Sequence, residues 1–304
     1  MCKVFFTNLV TILLLIQGCA KTPEPSSDKK KIVCTTAQVC DLVSAIGGDR
    51  IEPQVLVRKE LNPHSYELVK GDGDKILNAE IVFYNGLGLE HGASVSSMIE
   101  AHPHAIGIGD AIRQKNPERI LNREGTIDPH IWMDLSLWKE GIDVVVDALS
   151  SIDPEGALGF QKRGDDLKIQ FDVVDQKIWK LLHQVPENKR YLVTSHDAFQ
   201  YFTRRYLAEN QEEDWKARFA APEGLAPDGQ LSLKDLRAIV DHLSERQIKV
   251  IFPESNVNRD SIRKIADISH VRICKEPLFG DSIRGSYLEC MYKNGEILAK
   301  ELAE

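Results

Sequence analysis

An α/β protein of two parts joined by one long helix is what this sequence predicts, on three observations. Short apolar, strand-like runs alternate with segments of helical periodicity from Lys31 onward, the pattern of βαβ units and parallel sheets. The chain has 304 residues, room for two domains at roughly 150 residues each. Between the halves, segment 154–184 carries Leu158, Leu167, Phe171, Val174, Ile178 and Leu181 mostly three or four apart, with Pro154 in its first turn and Pro186 beyond its last. Pro at the start and past the end brackets a helix. A helix of roughly 28 residues within this segment runs to about 42 Å at 1.5 Å per residue, the length of both domains. It reads as a rigid spine, although Gly156, Gly159 and Gly164 weaken helical propensity.

The elements follow in order. Lys31–Thr36 reads as a buried strand and 37–46 as a helix stopped by Gly47-Gly48. A strand over 51–57 leads to a turn at His64. Helix 66–77, strand 81–85, helix 93–101 and strand 105–109 come next. Leu135, Trp138, Ile142, Val145, Val146 and Leu149 place a helix over 134–149. The second half repeats the alternation, with strand 190–194, helix 197–206, strand 248–252, helix 258–267, strand 271–274 and helix 285–302. Residues 208–229, punctuated by Pro222, Gly224, Pro227 and Gly229, read as a loop with short helical content, and no internal sequence repeat is visible. The expected division is a first lobe at 32–150, the linking helix at 154–184 and a second lobe at 188–304.

Hydrophobic content of 42% and charged content of 28% are those of a soluble globular protein. A net charge of −8, with no basic cluster beyond Lys29-Lys30-Lys31, argues against nucleic acid as a partner. Val4–Ile16 is largely apolar, has the length of a signal-peptide core, and is too short to span a bilayer comfortably. It ends in Ile16-Gln17-Gly18-Cys19, which resembles a bacterial lipobox. The expectation is a signal peptide at 1–18, lipidation at Cys19, and export to the periplasm or the outer face of the membrane. Residues 20–31, rich in Lys, Pro, Ser, Glu and Asp, read as a flexible tether.

Four further cysteines, Cys34, Cys40, Cys274 and Cys290, lack C-x-x-C spacing and do not look like a zinc site. In an oxidising compartment the simplest pairing is local, Cys34 with Cys40 and Cys274 with Cys290; buried free thiols are the alternative.

Three of the nine histidines stand apart. Asn62-Pro63-His64, Asp128-Pro129-His130 and Ser195-His196-Asp197 set a histidine beside a turn-forming or small polar residue, in segments that finish strands and turn. Strand ends are where a sheet presents side chains. Three neutral imidazoles with one carboxylate from a fourth segment form a donor set for a divalent transition metal. His102 and His104 read as solvated turn residues, His183, His242 and His270 as helical or helix-end residues, and His91 as a turn residue near the proposed cleft and not a ligand. Trp132, Trp138, Tyr201 and Phe202 read as packing residues. No G-x-x-x-x-G-K-[ST], G-x-S-x-G or H-E-x-x-H occurs, so ATPase, serine-hydrolase and zincin chemistry has no support.

With these motifs in place, the chain resembles the metal-specific solute-binding lipoproteins of ABC importers, which carry zinc, manganese or iron. The resemblance runs from about Lys31 to the C-terminus. It rests on Asn62–Glu67, Tyr84–Glu90, Asp128–Asp134, Thr194–Phe202, Ile251–Glu254 and Glu276–Ser282, in the family's order. It implies two α/β lobes joined by one long helix, with metal in the cleft between them. It also implies His64 and His130 as ligands from the first lobe and His196 and Asp281 from the second, with Asp197 and Glu254 as competing carboxylates. A His at the third position leans toward zinc and broad specificity; the lack of a long His/Asp-rich loop between Gly109 and Asp128 leans the other way. Four protein ligands leave little room for an activated water, so the expected activity is metal capture and delivery to a membrane permease and its ATPase by a monomer, not catalysis. A surface adhesin and a zinc-dependent hydrolase with an open fourth position are the competing readings.

Overall fold

The computed structural model describes residues 29–58, 61–123, 125–225 and 232–304. The expected signal peptide, Cys19 and tether residues 20–28 lie outside the described residues, as do Pro227 and Gly229. In chain order the elements are β1 (Lys30–Cys34), α1 (Ala37–Gly47), β2 (Ile51–Val55), α2 (Asp72–Leu77), β3 (Ile81–Tyr84), α3 (Ala93–Ala101), β4 (Ala105–Gly107), α4 (Ile108–Lys115), β5 (Asn122–Arg123), β6 (Thr126–Ile127), α5 (Leu135–Trp138) and α6 (Gly141–Ile152). Then follow α7 (Ala157–Leu182), β7 (Leu192–Val193), α8 (Gln200–Phe202), β8 (Phe219–Ala220), α9 (Leu233–Glu245), β9 (Val250–Ile251), α10 (Asp260–Ser269), β10 (Arg272–Ile273) and α11 (Tyr287–Ala303).

The first half holds a parallel sheet in the order β2-β1-β3-β4. Ile32, Val33 and Cys34 of β1 are all buried, as expected of a parallel strand covered on both faces. In the second half β7 pairs with β8 and β9 with β10, both parallel. A backbone bond of 2.8 Å from Phe252 N to Val193 O joins the two pairs, so the strands run β8-β7-β9-β10. Both lobes therefore share one wiring pattern, although no sequence repeat announces it.

The 26 residues of α7 form a single helix of about 39 Å. Pro154–Gly156 makes a 3-10 turn ahead of it, and the Asp153 side chain accepts from Gly156 N. Phe160, Leu167, Phe171, Ile178 and Leu182 of α7 are buried in a core that extends from Ile32 to Leu302. The helix packs on α1 and α6 of the first half and on α11 of the second. Smaller clusters lie under the other face of each sheet, one around Val33, Val82 and Val95, the other around Val193, Ile251 and Ile262.

Several elements differ from expectation. Residues 66–71 are not helical, because Tyr66 OH donates to Asp72 and Gly71 at φ +96° turns the chain into α2. The strand expected over 105–109 stops at Gly107, where Ile108 opens α4 and Gly109 N donates to Asn85 O. Segment 134–149 divides into α5, capped by Asp134, and α6. Helix 197–206 shrinks to α8 and a π-helical turn at Thr203–Leu207. The loop expected over 208–229 contains β8, and α9, whose Leu236, Ile239, Val240 and Leu243 recur at helical spacing behind the Ser232 cap, is not among the expected elements.

Cys34, Cys40 and Cys274 are free thiols, so the expected local disulfides Cys34–Cys40 and Cys274–Cys290 are not formed. Cys290 Sγ donates to Arg284 O at 3.1 Å and takes Arg284 N at the same distance, so the loop before α11 occupies it. Cys34 is buried, and its hydrogen bond to Cys40 lowers the Cys40 thiol to about 7.

Candidate metal centre

Each histidine of interest arrives on a turn that its own sequence specifies. Asn62 Oδ1 accepts from His64 N at 2.9 Å, and Asp128 Oδ1 accepts from His130 N at 3.0 Å. Both Asx-Pro-His tripeptides thus close the same turn, an Asx side chain capturing the amide two residues on. At His196, which lacks an Asx two residues before it, Glu254 Oε1 accepts from Ser195 N and His196 N at 3.1 and 2.9 Å. Asp281 follows Gly280, whose carbonyl accepts from Trp132 Nε1 at 3.1 Å and Gln38 Nε2 at 3.3 Å. Asn294 of α11 clamps Phe279 through both its backbone groups.

These turns bring His64, His130, His196 and Asp281 together, one donor atom of each within 4.8 Å of all the others. All four are buried. His64 Nε2 lies 3.2 Å from His130 Nε2 and 3.5 Å from Asp281 Oδ2. His196 Nε2 is 3.3 Å from Asp281 Oδ2, and His130 Nε2 is 3.5 Å from Asp281 Oδ1. A tetrahedral ion with bonds of about 2.0–2.1 Å spaces its donors about 3.3 Å apart, so these separations are those of ligands around one ion. Neither Asp281 oxygen nor His196 Nε2 finds a hydrogen bond among the described residues, an arrangement costly in a buried pocket without a cation.

A second carboxylate stands behind two of the rings. His130 Nδ1 donates to Asp128 Oδ1 at 2.7 Å, and Glu254 Oε2 lies 2.8 Å from His196 Nδ1. Each partner takes the Nδ1 side and turns Nε2 toward the centre. Burial pushes His130 down to about 3, against the pull of Asp281, and raises Asp128 to about 7. Burial also opposes a charge on His196, but Glu254 and Asp281 flank it and hold it well above the ordinary imidazole range. Burial works against the Asp281 carboxylate too, yet His196 and His64 keep it well below the usual range. Burial thus favours a neutral His130, while His196 and Asp281, 3.3 Å apart, favour each other's charged forms.

The competing carboxylates stand elsewhere. Asp197 Oδ2 accepts from Gln200 Nε2, and Glu254 lies behind His196. His183 stacks on Trp179 with centroids 3.9 Å apart, and His102 Nε2 donates to Ala79 O. Two features escape a reading of the sequence, the role of Asp128 behind its histidine and the anchoring of Gly280. The repeated Asx-Pro-His is the visible signal for the first; nothing in the sequence marks the second.

Residues 32–301 match the family described as zinc-uptake complex component A, periplasmic (ZnuA). The chain belongs to this family. Its members are the metal-binding components of ABC importers, and it is a family of solute-binding proteins rather than of enzymes. The chain is 36% identical to Fe(III)-bound YtgA from Chlamydia trachomatis, whose crystal structure superposes with a TM-score of 0.88 over 90% of this chain and 98% of that one. The periplasmic zinc-binding protein TroA from Treponema pallidum gives a TM-score of 0.82 at 25% identity, over 91% and 100% of the two chains. The manganese-binding lipoprotein MntA of Bacillus subtilis is 32% identical over 80% of this chain and 76% of its own length. Among the described residues no helix is long and apolar enough to cross a membrane.

Proposed function

We propose that the protein captures one divalent transition-metal ion between His64, His130, His196 and Asp281 and delivers it to an ABC permease and its ATPase. The observation that carries this reading is the convergence of four buried donors at ligand spacing, with a carboxylate behind two of the imidazoles. Zinc, manganese and iron all accept three imidazoles and a carboxylate; two relatives at this similarity are named for zinc and manganese, and the YtgA structure is bound to Fe(III). Both oxygens of Asp281 face the cluster, so one bond suits zinc and two bonds suit manganese or iron. Four protein donors fill a tetrahedral ion and leave no position for the activated water of a hydrolase.

In this reading residues 1–18 are a signal peptide, Cys19 carries the lipid anchor, and 20–29 tether an extracytoplasmic monomer, the tether ending short of its expected bound because Lys30 and Lys31 pair in β1. Residues 32–150 and 188–304 are the two metal-binding lobes, and 154–184 link them. The test is elemental analysis of tether-free protein after chelation and equimolar anaerobic competition among manganese, iron, cobalt and zinc. One retained equivalent, lost in His196→Ala, is expected. A protein that retains no metal sinks the reading and returns the adhesin to first place.

A further inference from the structure

The four donors are sealed, His130 and His196 at 0%, His64 at 2% and Asp281 at 6% exposure, so an ion must pass a gate to reach them. A pocket of about 510 Å³ opens beside the cluster, and of the four residues His64 alone lines it. His91, Asp110 and Arg113 line it as well. One carboxylate and one guanidinium on the same walls cancel, so charge alone does not hold a dication there. A neutral nitrogen donor can.

His91 is exposed and its ring centroid lies 6.0 Å from that of His64. The three imidazole pairs inside the cluster stand 5.1, 6.2 and 5.4 Å apart, so His91 keeps the spacing of rings that share an ion. Its loop is fixed. Glu90 accepts from Thr35 Oγ1, Asn85 N and Gly86 N, and Asn85 Nδ2 donates to Pro129 O beside His130. Asp110 Oδ1 accepts from Leu87 N. His91 Nδ1 lies 3.3 Å from Gly88 O, and since a carbonyl only accepts, the ring donates there and leaves the Nε2 lone pair for a metal.

We propose that His91 is a gate ligand, catching the incoming divalent ion through Nε2 at the pocket mouth and passing it to His64. The proposal rests on the metal-capture reading. A group that touches the ion only in passage lowers the barrier without changing either end state, so its loss slows binding and release alike. The test follows cobalt(II) uptake by stopped-flow tryptophan fluorescence, with Trp132 reporting from 5.3 Å beyond His130, and release into excess chelator. His91→Ala and His91→Gln are expected to slow both steps about tenfold, with His91→Asp recovering most of the rate. Unchanged uptake in Ala and Gln variants overturns the gate. So does weakened affinity with unchanged uptake, which makes His91 a resident ligand. Wild-type protein that takes up no cobalt overturns the capture reading itself, and that result is in hand before any variant is measured.

Discussion

Asp128 and Glu254 each hold a histidine at two points, the backbone amide and the Nδ1 side of the ring. Such outer partners are worth about 10–100-fold in metal affinity. Asp128→Asn and Glu254→Gln each keep an oxygen acceptor and remove a charge; burial already raises Asp128 to about 7, so its loss should fall at the low end, and Glu254→Gln, which removes the charge flanking His196, at the high end. Isothermal titration with zinc checks both. Gly280 offers a third route to the same defect, because a Cβ there would stand 2.6 Å from Glu254 Oε2. Gly280→Ala should therefore weaken binding as Glu254→Gln does, and retained affinity would show that the carboxylate has room to move. The raised imidazolium of His196 sets the pH dependence. The metal-free protein holds that proton at neutral pH and the ion displaces it, so acid favours the free form and affinity rises as pH climbs toward the His196 pKa. Titration at pH 7 in buffers of different ionisation enthalpy should record about one proton released per ion. The three histidines were legible because two of them sit in Asx-Pro-His turns, but the Glu254 contact to His196 spans 58 positions, which no local pattern encodes.

The long helix α7 carries two interior glycines whose surroundings predict opposite outcomes. At Gly164 an added Cβ would meet Val146 Cγ2 at 2.8 Å, where α6 and α7 approach closely. Val146 is buried and its branched side chain is stiff. Overpacking of about 1–3 kcal/mol exceeds the gain in helix propensity of about 1 kcal/mol, so Gly164→Ala should lower the melting temperature. At Gly159 the nearest atom is Arg163 Nη1 at 3.2 Å, on a guanidinium whose Nε and Nη2 donate to Ile46 O and Gly47 O and which needs to yield only a few tenths of an ångström. There the propensity gain wins, and Gly159→Ala should stabilise by up to about 1 kcal/mol. The apolar spacing of Phe171, Val174 and Ile178 made this helix readable, and the buried runs at Ile32–Cys34 and Ile81–Phe83 made two strands readable. β8 was not, because two residues have no period and the strand exists only through its pairing with β7. In α2, the Tyr66 to Asp72 bond and Gly71 override a helical pattern that began earlier.

At the level of the whole molecule, the donors divide evenly: His64 and His130 precede α7, His196 and Asp281 follow it. An ion that binds all four ties the halves together and should raise global stability by RT ln(1 + [L]/Kd), about 4 kcal/mol at a thousandfold excess over Kd. Calorimetric melting with and without zinc checks this, and a midpoint indifferent to metal would count against a site shared by the halves. The division into halves was visible in the alternation of strands and helices. The matching strand orders were not, since they depend on which strands meet and not on what each contains.

That matched wiring has a mechanical consequence. Each half brings two donors to the seam, so separating the halves takes a four-point chelate to a two-point one in a single movement, and the grip falls by far more than half. Unloading then requires neither acid nor a stronger competing ligand. A membrane partner that pulled the seam apart would convert displacement directly into release, and the carrier would hold tightly in transit and let go on arrival with the same set of side chains.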